Sequence, residues 1–582
     1  MNKFVKSLVT LSITAALGAT SAHSATYQVI DKGAAEKFKY TYSQQENNFG
    51  EMALSGTQVY NFPVQFEYLD EDDYDAIIAS AKAQNALIDD LSDIENEDSL
   101  RAGDPTANDL SWVKRYLQGK SSSFFYQKVG DVIAMKNFGG ETTEFRVFDQ
   151  VFENTVRLTY STVDYVNGIT NDGWLYGNAS APYLPFDFTE SDDDEVTHWI
   201  REFSTRGYFS PDGGATIVPL IAPESSYGGE SAIIDISDSN IAVGYASVSI
   251  DQNALDFIDD DTGGCADPDV LDDIPFELCV QQISSNMYNT EAFKWQLDEN
   301  GITSSEGLGQ LVTPNEDDQR ELTSYAQAVN SSGVVVGFAT GWVDEDETDP
   351  SVNEQSSLYA VVFKNGEVKD FTENHSEYFD SRAYDINNQG FAVGHAKKFI
   401  NGSARNKFYY VDTNESTPLM VLPDDFFDGS ASSAYAINEN NMVVGAAEVE
   451  THNDTSQNPR RTHGYLYDIN TDTFSDLNDF LPCNSPYSII EARDINDNNE
   501  ISATAILKVE RRDSKGQLML DEDGNPLVED VVRAVKLSPI SGEVDDCSKV
   551  EEKIERKGAG FGLLSLYALL GVCLFRRFRM MK

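Results

Sequence analysis

The chain has little of what usually betrays chemistry. Its 582 residues include only five cysteines and six histidines. No CxxC pair occurs, and His198, His375, His395, His452 and His463 stand far apart, so neither a zinc cluster nor a redox dithiol has a footing. GxSxG, HExxH, Walker and dinucleotide-binding patterns are missing too, which removes the commonest hydrolase, metalloprotease and nucleotide-binding readings. Positive charge is scarce: 42 Lys and Arg face 97 Asp and Glu, a formal net charge of −55. Such a surface repels phosphate backbones and excludes nucleic acid as a partner. Long apolar runs are confined to the two ends.

At the first end, "MNKFVKSLVTLSITAALGATSAHSA" sets Lys3 and Lys6 before an apolar run from Leu8 to Leu17 and a small-residue site at Ala22 to Ala25. This predicts a secretory signal peptide over residues 1–24, cut after Ser24, with the Sec translocon and signal peptidase as its first partners. At the other end, a linker (549–557) leads into segment 558–582, uncharged from Gly558 to Phe575 and then carrying Arg576, Arg577, Arg579 and Lys582. That run is just long enough to cross about 30 Å of hydrocarbon as a transmembrane helix with its basic tip in the cytoplasm. A Gly-rich entry at Gly558, Gly560 and Gly562, an apolar helix and a basic tip together resemble the GlyGly-CTERM sorting signal of Gram-negative bacteria. The resemblance implies cutting by a rhombosortase-type protease and delivery to the cell surface. Retention as a single-pass anchor on the periplasmic side of the inner membrane is the other reading.

An exported body meets oxidising conditions, so Cys265, Cys279, Cys483 and Cys547 are expected in disulfides. Of the three connectivities, Cys265 with Cys279 would staple an acidic insertion at about 248–290, and Cys483 with Cys547 would clamp the last repeat. Acid is spread over loops such as "DEDDYD", "ESDDDE", "DFIDDDTGG" and "VDEDETDP". They read as solvated surface. Ca2+ is the one cofactor such loops would suit, although "DEDGNPLVED" puts Gly524 where an EF-hand loop does not.

What the sequence does have is repetition. "AYDINNQGFAVGHA", Ala383 to Ala396, returns as "AYAINENNMVVGAA" from Ala434, "ARDINDNNEISATA" from Ala492, "AQAVNSSGVVVGFA" from Ala326, "IIDISDSNIAVGYA" from Ile233 and "VNGITNDGWLYGNA" from Val166. A degenerate copy, "SQQENNFGEMALSG", starts at Ser43. The Asn387 column holds Thr170, Ser237, Asn330, Asn438 and Asn496, short side chains that bond their own backbone in turns. Three places on, Gly390 aligns with Gly173, Asn240, Gly333, Asn441 and Asn499, the two residue types that best tolerate positive φ. Each unit is therefore a β-hairpin. Gly394, with Gly177, Gly244, Gly337, Gly445 and Ala503, and Ala396, with Ala179, Ala246, Ala339, Ala447 and Ala505, give the returning strand a face without bulk, expected to seat the neighbouring unit.

Aromatic or β-branched segments between hairpins supply two further strands per unit, such as "LYAVVFKNGEVKDF" and "HGYLYDINTDTFSDL". Four strands at a spacing of roughly 50 residues make a propeller blade. The fold predicted for residues 25–548 is an all-β propeller of seven blades, six being the next choice and an open β-helix the rival. The strand "TYQVID" would complete the last blade. The hairpin consensus resembles the HAF-type extracellular repeat, and residues 26 to 545 look like a family of exported proteobacterial proteins of unknown function. That resemblance implies no catalytic residue.

Residues 70–119 depart from the pattern. Ile77, Ile78, Ala81, Leu87, Ile88 and Leu91 suggest one amphipathic helix, and Leu110, Val113, Tyr116 and Leu117 a second starting near Asn108. A helical insertion in the first blade follows, read as a decoration on the blade edge rather than a lid. The Asp235, Asp385 and Asp494 column invites a ring of carboxylates. Ala328 and Ala436 interrupt it, so a turn-end structural role is expected. The function expected is a noncatalytic exported envelope or cell-surface propeller, a scaffold or binding module for a protein or glycan partner. The alternative is a secreted polysaccharide hydrolase or lyase using paired carboxylates.

Overall fold

In the computed structural model, residues 25–544 are described, apart from 89–90, 131, 154, 192–194, 319, 321, 453–458 and 543. The expected signal peptide and C-terminal helix lie outside them. Among the described residues no helix is long and apolar enough to cross a membrane.

Seven small antiparallel sheets close into a seven-bladed propeller. Their inner strands are Phe38–Glu46, Asp164–Ile169, Ser231–Ile236, Ser324–Val329, Asp380–Ile386, Ser432–Ile437 and Ser488–Ile495, which define blades 1 to 7. Each inner strand contacts that of the next blade, and the last contacts the first. Closure is made as expected: Ala25–Asp31 pairs antiparallel with Val528–Ser541, in register from Ala25 opposite Ser541 to Asp31 opposite Val535. The N-terminal strand thus covers an edge that would otherwise invite aggregation. Blade 5 departs from four strands. Beyond Ser403–Asp412 it keeps a single bridge, Tyr410 opposite Val421, in a segment bounded by Pro418 and Pro423, which cannot donate to a ladder.

The turn column behaves as its composition demands. Gly50, Gly173, Asn240, Gly333, Gly390, Asn441 and Asn499 all have positive φ, between 56° and 89°. The Gly394 column is small for a reason different from the one expected. Inner strands of all seven blades carry a β-bulge, as between Ala383 and Asp385, which pushes a carbonyl toward the second strand. A Cβ on Gly394 would lie 1.9 Å from the Arg382 carbonyl oxygen of the same blade, and Gly244 and Gly337 meet equivalent oxygens at 1.9 Å. Ala396 does face a neighbour: it is buried in the core that joins blades 4 and 5. Seven such apolar cores fill the seven interfaces.

Because every inner strand runs to the turn column on one face, every connection from second to third strand falls on the opposite face. Four of these are long. Blade 1 carries α1 (Glu71–Gln84), α2 (Glu97–Arg101) and α3 (Ala107–Gly119). Asp70 caps α1 in a reciprocal capping box with Asp73, and Thr106 caps α3. The insertion has its own core of Tyr74, Ile77, Ala81, Leu100, Trp112, Val113 and Leu117. The first helix is shorter than its apolar pattern suggests: it ends at Gln84, leaving Leu87 83% exposed. Blade 2 carries a hairpin, Leu184–Thr189 with Glu195–Ile200. Blade 3 carries α4 (Gln252–Asp259), α5 (Pro268–Leu271) and α6 (Phe276–Ile283), stapled by a disulfide between Cys265 and Cys279.

These insertions hold one another. The Ser514 hydroxyl of the blade 7 connection donates to the Ala107 carbonyl at 2.6 Å. The Trp199 N–H of the blade 2 hairpin donates to the Phe124 carbonyl at 2.6 Å. The Arg201 N–H donates to Gln281 Oε1 of α6 at 2.8 Å. A continuous wall thus runs over blades 7, 1, 2 and 3, while blades 4, 5 and 6 have shorter connections.

Candidate functional site

The axis of the ring is the site that all seven repeats build. On the turn face its mouth is a cavity of about 170 Å³ lined by the turn columns, including Asn48, Asn171, Asp238, Asn388, Glu439 and Asp497. Wherever the Asn387 column holds Asn, the side chain spans to the next blade. Asn330 Nδ2 donates to the Asn387 carbonyl (3.3 Å), Asn387 to Asn438 (3.1 Å), Asn438 to Asn496 (2.9 Å), Asn496 to Asn47 (3.2 Å) and Asn47 to Thr170 (3.0 Å). Thr170 and Ser237 are too short to continue the chain. The collar is a stitched seam.

Beneath it lies the carboxylate layer. The Asp385 column alternates long and short around the ring: Gln45, Gly168, Asp235, Ala328, Asp385, Ala436, Asp494. Each long side chain reaches over the next blade and accepts a backbone N–H there. Gln45 Oε1 takes Ile169 (2.8 Å), Asp235 Oδ2 takes Val329 (2.9 Å), Asp385 Oδ2 takes Ile437 (2.7 Å) and Asp494 Oδ2 takes Glu46 (3.1 Å). The short residues make room: a Cβ on Gly168 would stand 2.2 Å from Gln45 Oε1.

Seven is odd, so two neighbours of one kind must adjoin, and here they are the long side chains of Asp494 and Gln45, where the ring closes. The residue after Gln45 is Glu46, where other blades have Ile or Val. It is buried and paired with Lys536 at 2.6 Å. Burial raises the carboxyls of Asp235 to about 6 and Asp494 to about 7, and lifts Asp385 well above the ordinary range. Across alternate blades Asp235 adds to the rise of Asp385 and Asp494, and Asp494 to that of Asp385. Sequence reasoning gave them a structural role, and that is the role their bonds perform.

Past this layer, toward the walled face, the inner strands contribute a second ring of side chains. At the bulge position the ring holds Gln44, Asn167, Ile234, Gln327, Tyr384, Tyr435 and Arg493. Two residues earlier in each unit stand Tyr325, Arg382 and Glu491, among others. From blade 4 to blade 7 these form one aromatic and cationic arc. The Tyr384 and Tyr435 rings are 6.3 Å apart, and Arg493 lies over Tyr435 at 4.7 Å. Arg382 lies over Phe338 at 4.7 Å, and Phe338 packs on Tyr325 at 5.1 Å. His395, 5.5 Å from Tyr384, is pushed down to about 4 by burial and by the nearby charges of Arg382 and Lys397. Tyr384 senses Arg382 and Arg493 together, although they belong to blades 5 and 7.

None of these arc residues stood out in the sequence. The available signal was variability: Tyr384, Tyr435 and Arg493 occupy a changing place between the Ala383 column, Ala in four of the seven units, and the Asp385 column. Cys265 and Cys279 sit far from the axis in the blade 3 insertion, with Cα atoms 5.6 Å apart. Cys483 is disulfide-bonded, and Cys547, its expected partner, lies outside the described residues. Among the described residues, no group of three or more His, Cys, Asp or Glu converges as a metal-ligand set.

A ring of carboxyl-stitched blades with one decorated face defines a closed seven-bladed propeller. The sequence matches, over residues 3–578, the family described as Protein of unknown function (DUF3466), and the chain belongs to that family. No curated protein matches it. Among solved structures it is similar to a puromycin-hydrolyzing peptidase of Mycobacterium tuberculosis (9% identity, 88% of this chain and 56% of that one, TM-score 0.33). It is also similar to the polysaccharide lyase Uly1 (10% identity, 70% and 85%, TM-score 0.34) and to prolyl oligopeptidase B from Galerina marginata (10% identity, 86% and 61%, TM-score 0.33). The chain therefore spans little more than half the length of the peptidases, and nothing about activity passes from these proteins to it.

Proposed function

We propose that the protein is a noncatalytic envelope or cell-surface propeller of HAF-type repeats that binds a protein or glycan partner at its axis. The observation that carries this reading is the use made of the axial acids. Hydrolysis by paired carboxylates needs one acid free to give a proton and another free to attack or to activate water. Here Asp235, Asp385 and Asp494 each spend an oxygen on the backbone of the next blade. The surface left to a ligand is aromatic, amide and cationic, which suits recognition.

Export follows in this reading from the N-terminal segment, through the Sec translocon and signal peptidase. Residues 558–582 then act as a membrane anchor or as a GlyGly-CTERM signal for a rhombosortase-type protease. The test is a turnover screen of the full chain on polysaccharides and peptides, with binding measured in parallel. Binding without turnover is expected. Turnover abolished by Asp235→Asn, Asp385→Asn or Asp494→Asn in a folded protein would overturn the proposal in favour of the secreted hydrolase or lyase.

A further inference from the structure

We infer that the axial arc from blade 4 to blade 7 binds an acidic oligosaccharide, Arg382 and Arg493 taking its carboxylates while Tyr325, Tyr384 and Tyr435 take its sugar faces. This rests on the binding-module reading above and gives it a ligand class.

The argument starts from two guanidinium groups whose donors are unfilled. Arg382 Nε is buried without a hydrogen-bond partner among the described residues, and its ion pair with Asp380, at 3.8 Å, is too long for a hydrogen bond. Arg493 makes no hydrogen bond or ion pair to any described residue; its contact is the face of Tyr435. In a chain with 97 acids to 42 bases, a partly buried arginine with no carboxylate within hydrogen-bond reach calls for a reason. Arg320 and Arg460, by contrast, each hold a carboxylate at 2.6 Å.

Both guanidiniums are also braced. Each lies over an aromatic ring, Arg382 over Phe338 and Arg493 over Tyr435, both at 4.7 Å, a contact that holds the group while leaving its N–H donors for a carboxylate. A lone small anion would fill one arginine. Two of them, on blades 5 and 7 with Tyr384 between, ask for a ligand that repeats its acid and offers a flat, weakly apolar surface in between. A chain of uronic acids has that form, and its hydroxyls match the donors and acceptors of Gln44, Gln327 and Glu491. A nucleic acid also repeats its charge, and the net −55 of the chain opposes both polyanions; binding of an oligonucleotide of equal charge in place of hexagalacturonate would overturn the inference.

The experiment is calorimetric titration of the full chain with hexagalacturonate, its methyl ester and maltohexaose. Binding of the acid alone, weakening with added salt, is expected. Arg382→Gln and Arg493→Gln should each lower affinity about tenfold or more, the scale of a lost charged hydrogen bond, and Arg493→Lys should lose part of that. Unchanged thermal unfolding of these variants keeps the loss attributable to the ligand. Equal binding of acid and ester, or variants that bind as well as wild type, would overturn the inference. So would binding of sulfated dextran oligosaccharide with none of hexagalacturonate. Binding accompanied by cleavage would sink the noncatalytic reading while leaving this ligand class intact.

Discussion

Asp385 Oδ2 and the backbone N–H of Ile437 lie 2.7 Å apart, joining blade 5 to blade 6 across the channel wall. The other oxygen accepts the N–H of Ile386 at 2.7 Å. Asp385→Ala leaves both donors buried without a partner. It should lower stability by about 1–3 kcal/mol in urea unfolding, and Asp385→Asn, which keeps one acceptor, should lose less. An unchanged midpoint for the alanine variant would remove the carboxyl layer from the account of ring stability.

The same layer predicts a pH dependence. Asp235 and Asp494 titrate near 6 and 7 in the fold, against an ordinary value of 3.8. The folded state therefore holds these protons where the unfolded chain has lost them. Their contribution is fully present below the unfolded value and is lost as pH rises from about 4 through about 7. Relative to wild type, Asp235→Asn and Asp494→Asn should flatten that decline by the order of 1 kcal/mol per pH unit for each group. Parallel pH profiles for variant and wild type would contradict it.

Gly394 is held small by the bulge. Gly394→Ala forces a methyl group to within 1.9 Å of the Arg382 carbonyl, so the bulge or the strand must move. A loss of about 3 kcal/mol is expected, the upper part of the usual range for overpacking. Gly119→Ala, where nothing lies within 4 Å, serves as the quiet control.

Closure gives a fourth expectation. Removing Ala25–Asp31 bares the Val528–Ser541 edge. The truncated protein should aggregate on refolding or lose its single cooperative transition, read by light scattering and calorimetry. A monodisperse, equally stable product would mean that the seam between blades 7 and 1 holds without its strand.

The disulfide should act locally. Cys265, Cys279, Ile258, Val280, Met287 and Tyr288 form a core of the insertion, joined to blade 3 through Tyr288 and Ile250 at the strand ends. Reduction, or Cys265→Ser with Cys279→Ser, should expose residues 251–287 to protease while the main unfolding transition moves little.

The repeat was legible because its turn is chemically narrow. A left-handed corner at Gly390 accepts almost nothing but Gly or Asn, so the column survives every other change. The helical insertion was legible as a pattern but not in extent: α1 stops at Gln84, and Ile88 and Leu91 reach the same core from the following loop. The three helices around Cys265 and Cys279 went unread because short elements among acids give too few turns for a period to show. The axial arc was unreadable for another reason. Arg382 and Arg493 stand 111 places apart along the numbering and meet only because blades 5 and 7 face one axis.

By itself, then, the sequence determined the hairpin, its repetition and the surface charge, since these rest on backbone conformation and composition that each residue carries with it. Only the tertiary structure decided that the ring has seven members, that an odd count sets Asp494 beside Gln45, and that two arginines share one channel. Those are consequences of closure, and no single segment holds the information about where its ends will meet.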